Sequence, residues 1–279
     1  MYSSFLAEVL KLRKRPTVWV LGALWLVILL FFLYLLPALF FTITLADAPA
    51  EVASETSLQE QLPVLAPENL ATYLLRFLFP GLGMTLALIL GALVAGSEYS
   101  WGTIKIVLSQ GPGRLAVLSG KLLALLNPIV IFVFVAFLGA GVSSLAVALF
   151  SGASLVRPPA MVLLGGLGAG ALMLVVWAAF GFALATLFRN TALAVGLGLI
   201  YSFAVEPALS NLSTMNESLQ SLVRFLPGTN TAALSFAFED PGLREGLLSP
   251  AQSTLVVLVY TVVFILAAAL VFWRRDVTA

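Results

Sequence analysis

The sequence predicts an all-α polytopic membrane protein: an N-terminal amphipathic interfacial helix followed by six transmembrane helices. Three observations carry this. Of the 279 residues, 61% are hydrophobic and 10% charged, and the mean hydropathy is +1.08; soluble domains hold about 45–50% apolar and about 25% charged residues. Six apolar stretches are long enough, or nearly so, for the ~20-residue helix that crosses a hydrocarbon core of ~30 Å. The basic residues lie between those stretches in the alternation that orients membrane helices.

Residues 1–16 form the entry helix. At 100° per residue, Tyr2, Phe5, Leu6, Val9, Leu10 and Leu12 share one face, and Ser4, Glu8, Lys11, Lys14 and Arg15 share the other. Arg13 falls on the apolar side, from which its long stem lets it snorkel. Such a helix suits the membrane surface, its cations near anionic headgroups. Pro16 separates it from the first span.

The spans are predicted at residues 17–46, 77–96, 122–150, 161–188, 191–205 and 253–273. Pro37 is expected to kink the first, and Glu206-Pro207 to end the fifth. The apolar run of the first stretch far exceeds the 7–15 residues of a signal peptide, so it reads as a retained helix although Ala46-Asp47-Ala48 resembles a cleavage site. Between the spans lie an acidic outer loop at 47–76, a cytoplasmic loop at 97–121 and an outer loop at 206–252. Leu219, Leu222, Val223 and Leu226 recur at helical spacing in that last loop, which predicts short interfacial helices there.

With the N-terminus cytoplasmic, ten of the fourteen lysines and arginines fall inside and ten of the thirteen acids fall outside. An odd number of spans breaks this pattern. Both termini are therefore expected in the cytoplasm, and the chain is read as a multi-pass protein of the cytoplasmic (inner) membrane, with the lipid bilayer as its solvent.

Several chemistries are excluded by residue type. The chain has no cysteine and no histidine, so disulfides, thiolate metal sites and Cys or His catalysis are ruled out and no metal site is expected. The one dense basic run, Lys11 to Arg15, abuts a span, so no nucleic-acid partner is expected. A phosphate loop needs Gly-x-x-x-x-Gly-Lys-Ser/Thr. At Gly120-Lys121, the one Gly-Lys pair, Leu115 replaces the first glycine and Leu122 the hydroxyl. No catalytic residue is assigned.

The span cores hold no Asp, Glu, Lys or Arg, which argues against proton-coupled transport. Arg76 and Glu206 read as anchors at outer span ends. Asn127, Ser143, Ser144 and Tyr201 are candidate pathway-lining residues, with buried hydrogen bonding an equal reading. Gly91 with Ala95, Gly139 with Gly141, Gly166 with Gly170 and Gly196 with Gly198 permit close helix contact, within one subunit or between two.

The cytoplasmic loop carries Glu98-Tyr99-x-x-Gly102-Thr103-x-Lys105-x-x-Leu108-Ser109, then Arg114 and Gly120-Lys121-Leu122-Leu123. Thr103 to Ser109 is predicted as a short helix stopped by Gly111-Pro112-Gly113. This segment resembles the signature of ABC transporter permeases of the type-2 export class. The N-terminal run Glu8-x-x-Lys11-Leu12-x-Lys14-Arg15-Pro16-Thr17 is also similar, as is the layout of the whole chain. The long acidic loop after the first span departs from the family, in which that loop is often shorter.

The resemblance implies a permease subunit of an ATP-driven exporter. Two permeases, identical or different, face each other above two separate ATPase subunits, which carry the ATP and Mg; this chain holds no cofactor. Carried over by position, Glu98, Tyr99, Gly102, Thr103, Lys105, Arg114 and Lys121 belong to the segment coupled to the ATPase. Phe5, Glu8, Lys11, Lys14 and Arg15 belong to the entry helix that receives the same motion. Glu98 is expected to pair with Lys105, Arg114 or Lys121, and as an exposed pair this is worth only a few tenths to ~1 kcal/mol. Charge-free spans suit a hydrophobic or amphipathic cargo. Two other functions fit the residues: a scaffold, assembly or signalling protein of the same fold, and a secondary carrier.

Overall fold

In hydrocarbon each backbone N–H and C=O must be satisfied within its own segment, so a charge-free run of this length folds as a helix. The computed structural model describes residues 2–47, 62–100, 113–151, 155–215, 217–239 and 246–274, and every regular element among them is helical. Helix α1 is Tyr2–Lys14; α2 runs from Pro16–Val27 through Ile28–Leu35 to Leu36–Asp47. Helix α3 joins Leu70–Tyr73, Leu74–Gly83 and Met84–Ser100. Then come α4 (Arg114–Ser151), α5 (Ala160–Phe188) and α6, which joins Thr191–Ile200, Tyr201–Val205 and Glu206–Ser213. Two short helices, α7 (Glu217–Val223) and α8 (Pro227–Ser235), precede α9 (Pro250–Arg274). Six of these helices are long and apolar enough to cross a membrane: Pro16–Phe40, Pro67–Tyr99, Arg114–Phe150, Ala160–Phe188, Thr191–Ser213 and Pro250–Arg274.

Two prolines that should interrupt helices are handled by local widening, and a third is not. Proline lacks an N–H, and its ring clashes with the carbonyl four residues back; a π-helical turn relieves both. Ile28–Leu35 is π-helical just before Pro37, and Tyr201–Val205 just before Pro207. Helix α6 therefore passes through Glu206-Pro207 to Ser213 instead of ending there. In α3 the interruption is real. Pro80 takes φ −68°, ψ 148° and Gly81 φ 72°, ψ −85° within the π-helical Leu74–Gly83. Only glycine adopts that second conformation readily. The Thr85 hydroxyl donates to the Gly81 carbonyl at 2.5 Å, satisfying an acceptor beside the break.

Helices α3 and α5 form the centre and touch backbone to backbone. A Cβ on Gly91 would fall into the Ala178 carbonyl, and one on Gly181 into the Leu88 carbonyl. Small residues are what permit such approach in lipid, where apolar burial alone drives no association. Gly166 and Gly170 likewise face Phe137 and Phe79 within the same chain, whereas Gly196 faces open space. Trp25 of α2 is fully buried against this centre, its ring centroid 5.8 Å from those of both Phe79 and Phe132. Its indole N–H donates to the Phe132 carbonyl at 2.9 Å. Helices α6 and α9 lie outside, exposing Ile200, Phe203, Leu255, Val262 and Leu266.

On the side opposite α1, Glu206 of α6 is buried and accepts from the Thr229 N–H at 2.7 Å and the Thr229 hydroxyl at 3.3 Å. Thr229 is in the first turn of α8, whose amides have no partner within the helix. The carboxylate therefore caps α8 and pins it to α6. Glu206→Ala is expected to cost about 1–3 kcal/mol, the price of a buried donor left without its acceptor. Glu206→Gln keeps an acceptor and should cost less. Hydrogen exchange at the α8 amides checks both; unchanged protection in Glu206→Ala would refute the cap.

Candidate functional site

Glu98 ends the apolar part of α3, Lys121 begins that of α4, and Glu8 and Lys11 share a face of α1 one turn apart. The fold brings these four together. Lys11 Nζ donates to Glu8 Oε1 at 2.8 Å and to Glu98 Oε1 at 2.7 Å. Lys121 Nζ forms ion pairs with Glu98 Oε2 at 3.1 Å and Glu8 Oε1 at 3.7 Å, and donates to the Val94 carbonyl at 3.2 Å. Two carboxylates and two ammonium groups thus close a neutral ring across three helices. Side-chain exposure is 3% for Glu98 and Lys121, 7% for Glu8 and 38% for Lys11.

Backbone approach sets the ring's geometry. A Cβ on Gly120 would come within 2.9 Å of Ser4 Cβ and 3.2 Å of the Phe5 nitrogen. Glycine at this position lets α1 lie directly on α4, one residue before Lys121. The anchoring continues at Arg15, whose guanidinium donates to the Leu93 carbonyl of α3 at 3.3 Å. Trp19 Nε1 donates to the Arg13 carbonyl at 2.8 Å, bracing the turn at Pro16. Phe5 and Tyr99 are half-buried against the same core.

The α5–α6 turn joins this end of the bundle. Arg189 adopts φ 53°, and the Asn190 side chain accepts from the Leu193 N–H at 3.0 Å as an N-cap. A Cβ on Gly96 would collide with Thr191 Oγ1, so α3 passes the turn closely. Arg114 at the start of α4 donates to the Trp273 carbonyl at the end of α9, at 3.2 Å.

The structure corrects two expectations about charge. The polar face of α1 does not present Glu8 and Lys11 to headgroups; it turns them onto α3 and α4, while Leu6 and Leu10 are 41% and 54% exposed. Four balanced charges are more stable facing one another than any one is buried alone. Glu98 does pair with Lys121, but also with Lys11, and the site is buried, so the small energy of an exposed pair does not apply. Arg114 bonds elsewhere. Lys14 is exposed. Gly102, Thr103 and Lys105, with the helix expected over Thr103 to Ser109, lie outside the described residues, as does most of the acidic outer loop.

The candidate pathway residues are not gathered into one place. Asn127 is exposed on α4, and Ser143 is half-buried. Ser144 is buried, and its hydroxyl donates to the Gly141 carbonyl at 3.2 Å. Tyr201 on α6 packs its ring 5.3 Å from Phe180.

Burial opposes the charged form of Lys11. The hydrogen bonds and charges of Glu8 and Glu98 outweigh it and hold the Lys11 pKa above the ordinary 10.5. A lysine pKa raised by folding stabilises fully below the unfolded value and loses that stabilisation as pH climbs through the folded one. Contact of α1 with α3 is therefore expected to be constant through neutral pH and to weaken only above the ordinary 10.5. Protease nicking at Lys14 against pH checks this; onset below pH 9 would contradict it.

No curated protein matches the chain. A family model described as "ABC-2 family transporter protein" matches residues 3–277. The match runs from α1 through all six candidate spans. The chain belongs to the ABC-2 transporter family, as a multi-pass, non-catalytic membrane permease.

Proposed function

We propose that this permease is the membrane subunit of an ATP-driven exporter, paired with a second permease and driven by separate ATPase subunits on the cytoplasmic side of the inner membrane, where both termini lie. The observation that carries the reading is the buried ring of Glu8, Lys11, Glu98 and Lys121. It makes α1, the end of α3 and the start of α4 one mechanical body. Residues 101–112 join α3 to α4 in the chain. A partner that grips this segment or α1 moves two spans at once, and α3 transmits the displacement to α5 through their backbone contact. The exposed apolar faces of α6 and α9 are suited to a second copy. The break at Pro80-Gly81 gives the outer half of α3 freedom to move against the inner half. ATP and Mg act on the partner, and the cargo is hydrophobic or amphipathic, in keeping with spans whose few charged residues lie toward their ends.

Co-purification tests this. An ABC ATPase subunit is expected to co-elute with the solubilised protein, and Glu98→Arg is expected to reduce its recovery about tenfold or more, a loss of ~1.4 kcal/mol or more in binding. Lys14→Glu, exposed and outside the ring, separates docking from folding: it is expected to weaken recovery while leaving the permease intact. No co-eluting ATPase, or cargo movement without ATP, would sink the proposal and favour a scaffold or a secondary carrier respectively.

A further inference from the structure

We propose that the groove between α4 and α5, away from the ionic ring, is a binding site for one membrane phospholipid, with an acyl chain in the groove and the phosphate on Arg157. The groove has a volume of about 430 Å³ and is lined by Phe134, Phe137 and Leu145 of α4 and Leu163 and Leu167 of α5, with Leu70 at the start of α3 and Pro158 also on its wall. Its one side-chain hydroxyl, on Ser144, already bonds the Gly141 carbonyl. The lining therefore offers nothing to a sugar, an ion or a polar peptide, and suits an alkyl chain. From Phe134 to Leu145 the helix rises about 16 Å at 1.5 Å per residue. That is about the ~15 Å hydrocarbon depth of a single leaflet, half of the ~30 Å core.

Charge complementarity identifies the head. Arg157 immediately precedes Pro158 and is exposed. No described carboxylate pairs with it, unlike Arg76, which holds Glu239 at 2.6 Å and lies over the Phe236 ring at 4.9 Å. Arg224 lies over its own neighbour Phe225 at 5.8 Å. Arginine binds phosphate through a planar fork of N–H donors. A phosphate held by this cation, one residue along the chain from the groove-lining Pro158, would separate a retained lipid from the exchanging lipids around any span. The proposal does not depend on the transport reading, because it needs neither ATPase nor cargo.

Native mass spectrometry of the purified, delipidated full chain titrated with phosphatidylglycerol tests it. One saturable adduct is expected. Arg157→Glu is expected to weaken it about tenfold or more, and Gly141→Phe, which fills the groove, to abolish it. Arg224→Glu, another exposed arginine on the same side, should leave it unchanged. No saturable adduct, or an equal one in Arg157→Glu, would overturn the proposal. So would efficient disulfide dimers of Leu138→Cys in phosphatidylglycerol vesicles, since the chain has no other cysteine and such dimers would place a second copy over the groove.

Discussion

Glu98→Arg is expected to take apart the end of the bundle that carries α1. The substitution places a third cation beside Lys11 and Lys121, whose ammonium groups lie 2.7 Å and 3.1 Å from the native carboxylate. Glu98 and Lys121 are each 3% exposed, so water cannot screen the repulsion. Removing one member of a buried ion pair typically costs about 3–5 kcal/mol, and reversing it costs more. At about 2–4 °C per kcal/mol for large domains, the unfolding midpoint should fall by roughly 10 °C or more. Fluorescence-detected size exclusion after heating measures this; an unchanged midpoint would show that the ring carries no energy.

The other members should rank by exposure. Lys121→Met leaves two buried carboxylates to share Lys11 alone, with one negative charge uncompensated, and should approach the effect of losing Glu98. Lys11→Met should do much less, because Lys11 is 38% exposed and its interactions are screened. The swap Glu98→Lys with Lys121→Glu restores neutrality and should recover part of the loss. Replacing all four by Leu or Met is the informative extreme. An apolar substitute for a buried ionic cluster is often neutral or stabilising. Such a protein is expected to fold with a near-normal midpoint, so a defect in its ATPase recovery would report on coupling alone.

Gly91→Leu and Gly181→Leu should each be about as damaging, for a reason unrelated to charge. The new Cβ enters a backbone carbonyl of the facing helix, of Ala178 in one case and Leu88 in the other. A side chain in the way can change rotamer, but a helix backbone cannot. Overpacking costs about 1–3 kcal/mol where side chains yield, and these sites should lie at or above the top of that range. Both substitutions push α3 from α5, so the double mutant should lose less than the two single losses added together. Gly196→Ala, which faces open space, is the matched control and should be within about 0.5 kcal/mol of wild type. Equal midpoints for Gly91→Leu and Gly196→Ala would show that the two central helices do not pack as described.

The charge pattern of the sequence narrows the partner of Glu98, the sole acid of its loop, to Lys105, Arg114 or Lys121, and only the fold selects Lys121 among them. Sequence could not supply Lys11 and Glu8. A helical wheel ranks faces by polarity, and a polar face reads the same whether it meets headgroups or a complementary pair of charges. The spacing Glu8-x-x-Lys11 was the available signal, since one turn of helix places both groups on one side. Helices α3 and α6 extend beyond the apolar stretches at 77–96 and 191–205 for a related reason. Hydropathy marks the lipid-facing core of a helix, not the turns that continue beyond it, and it treats Pro207 as a stop where a π-helical turn lets the chain go on.

By itself, the sequence determined the solvent, the helical class, the number of spans and the family resemblance. Each follows from composition and local order, because hydrocarbon leaves a backbone this apolar no alternative to the helix. The tertiary structure alone decided which face of α1 is turned inward, that four charges separated by up to 113 positions in the chain neutralise one another, and that two glycines set the distance between the central helices. Those are properties of distances between segments, and no local pattern encodes a distance to a segment folded elsewhere.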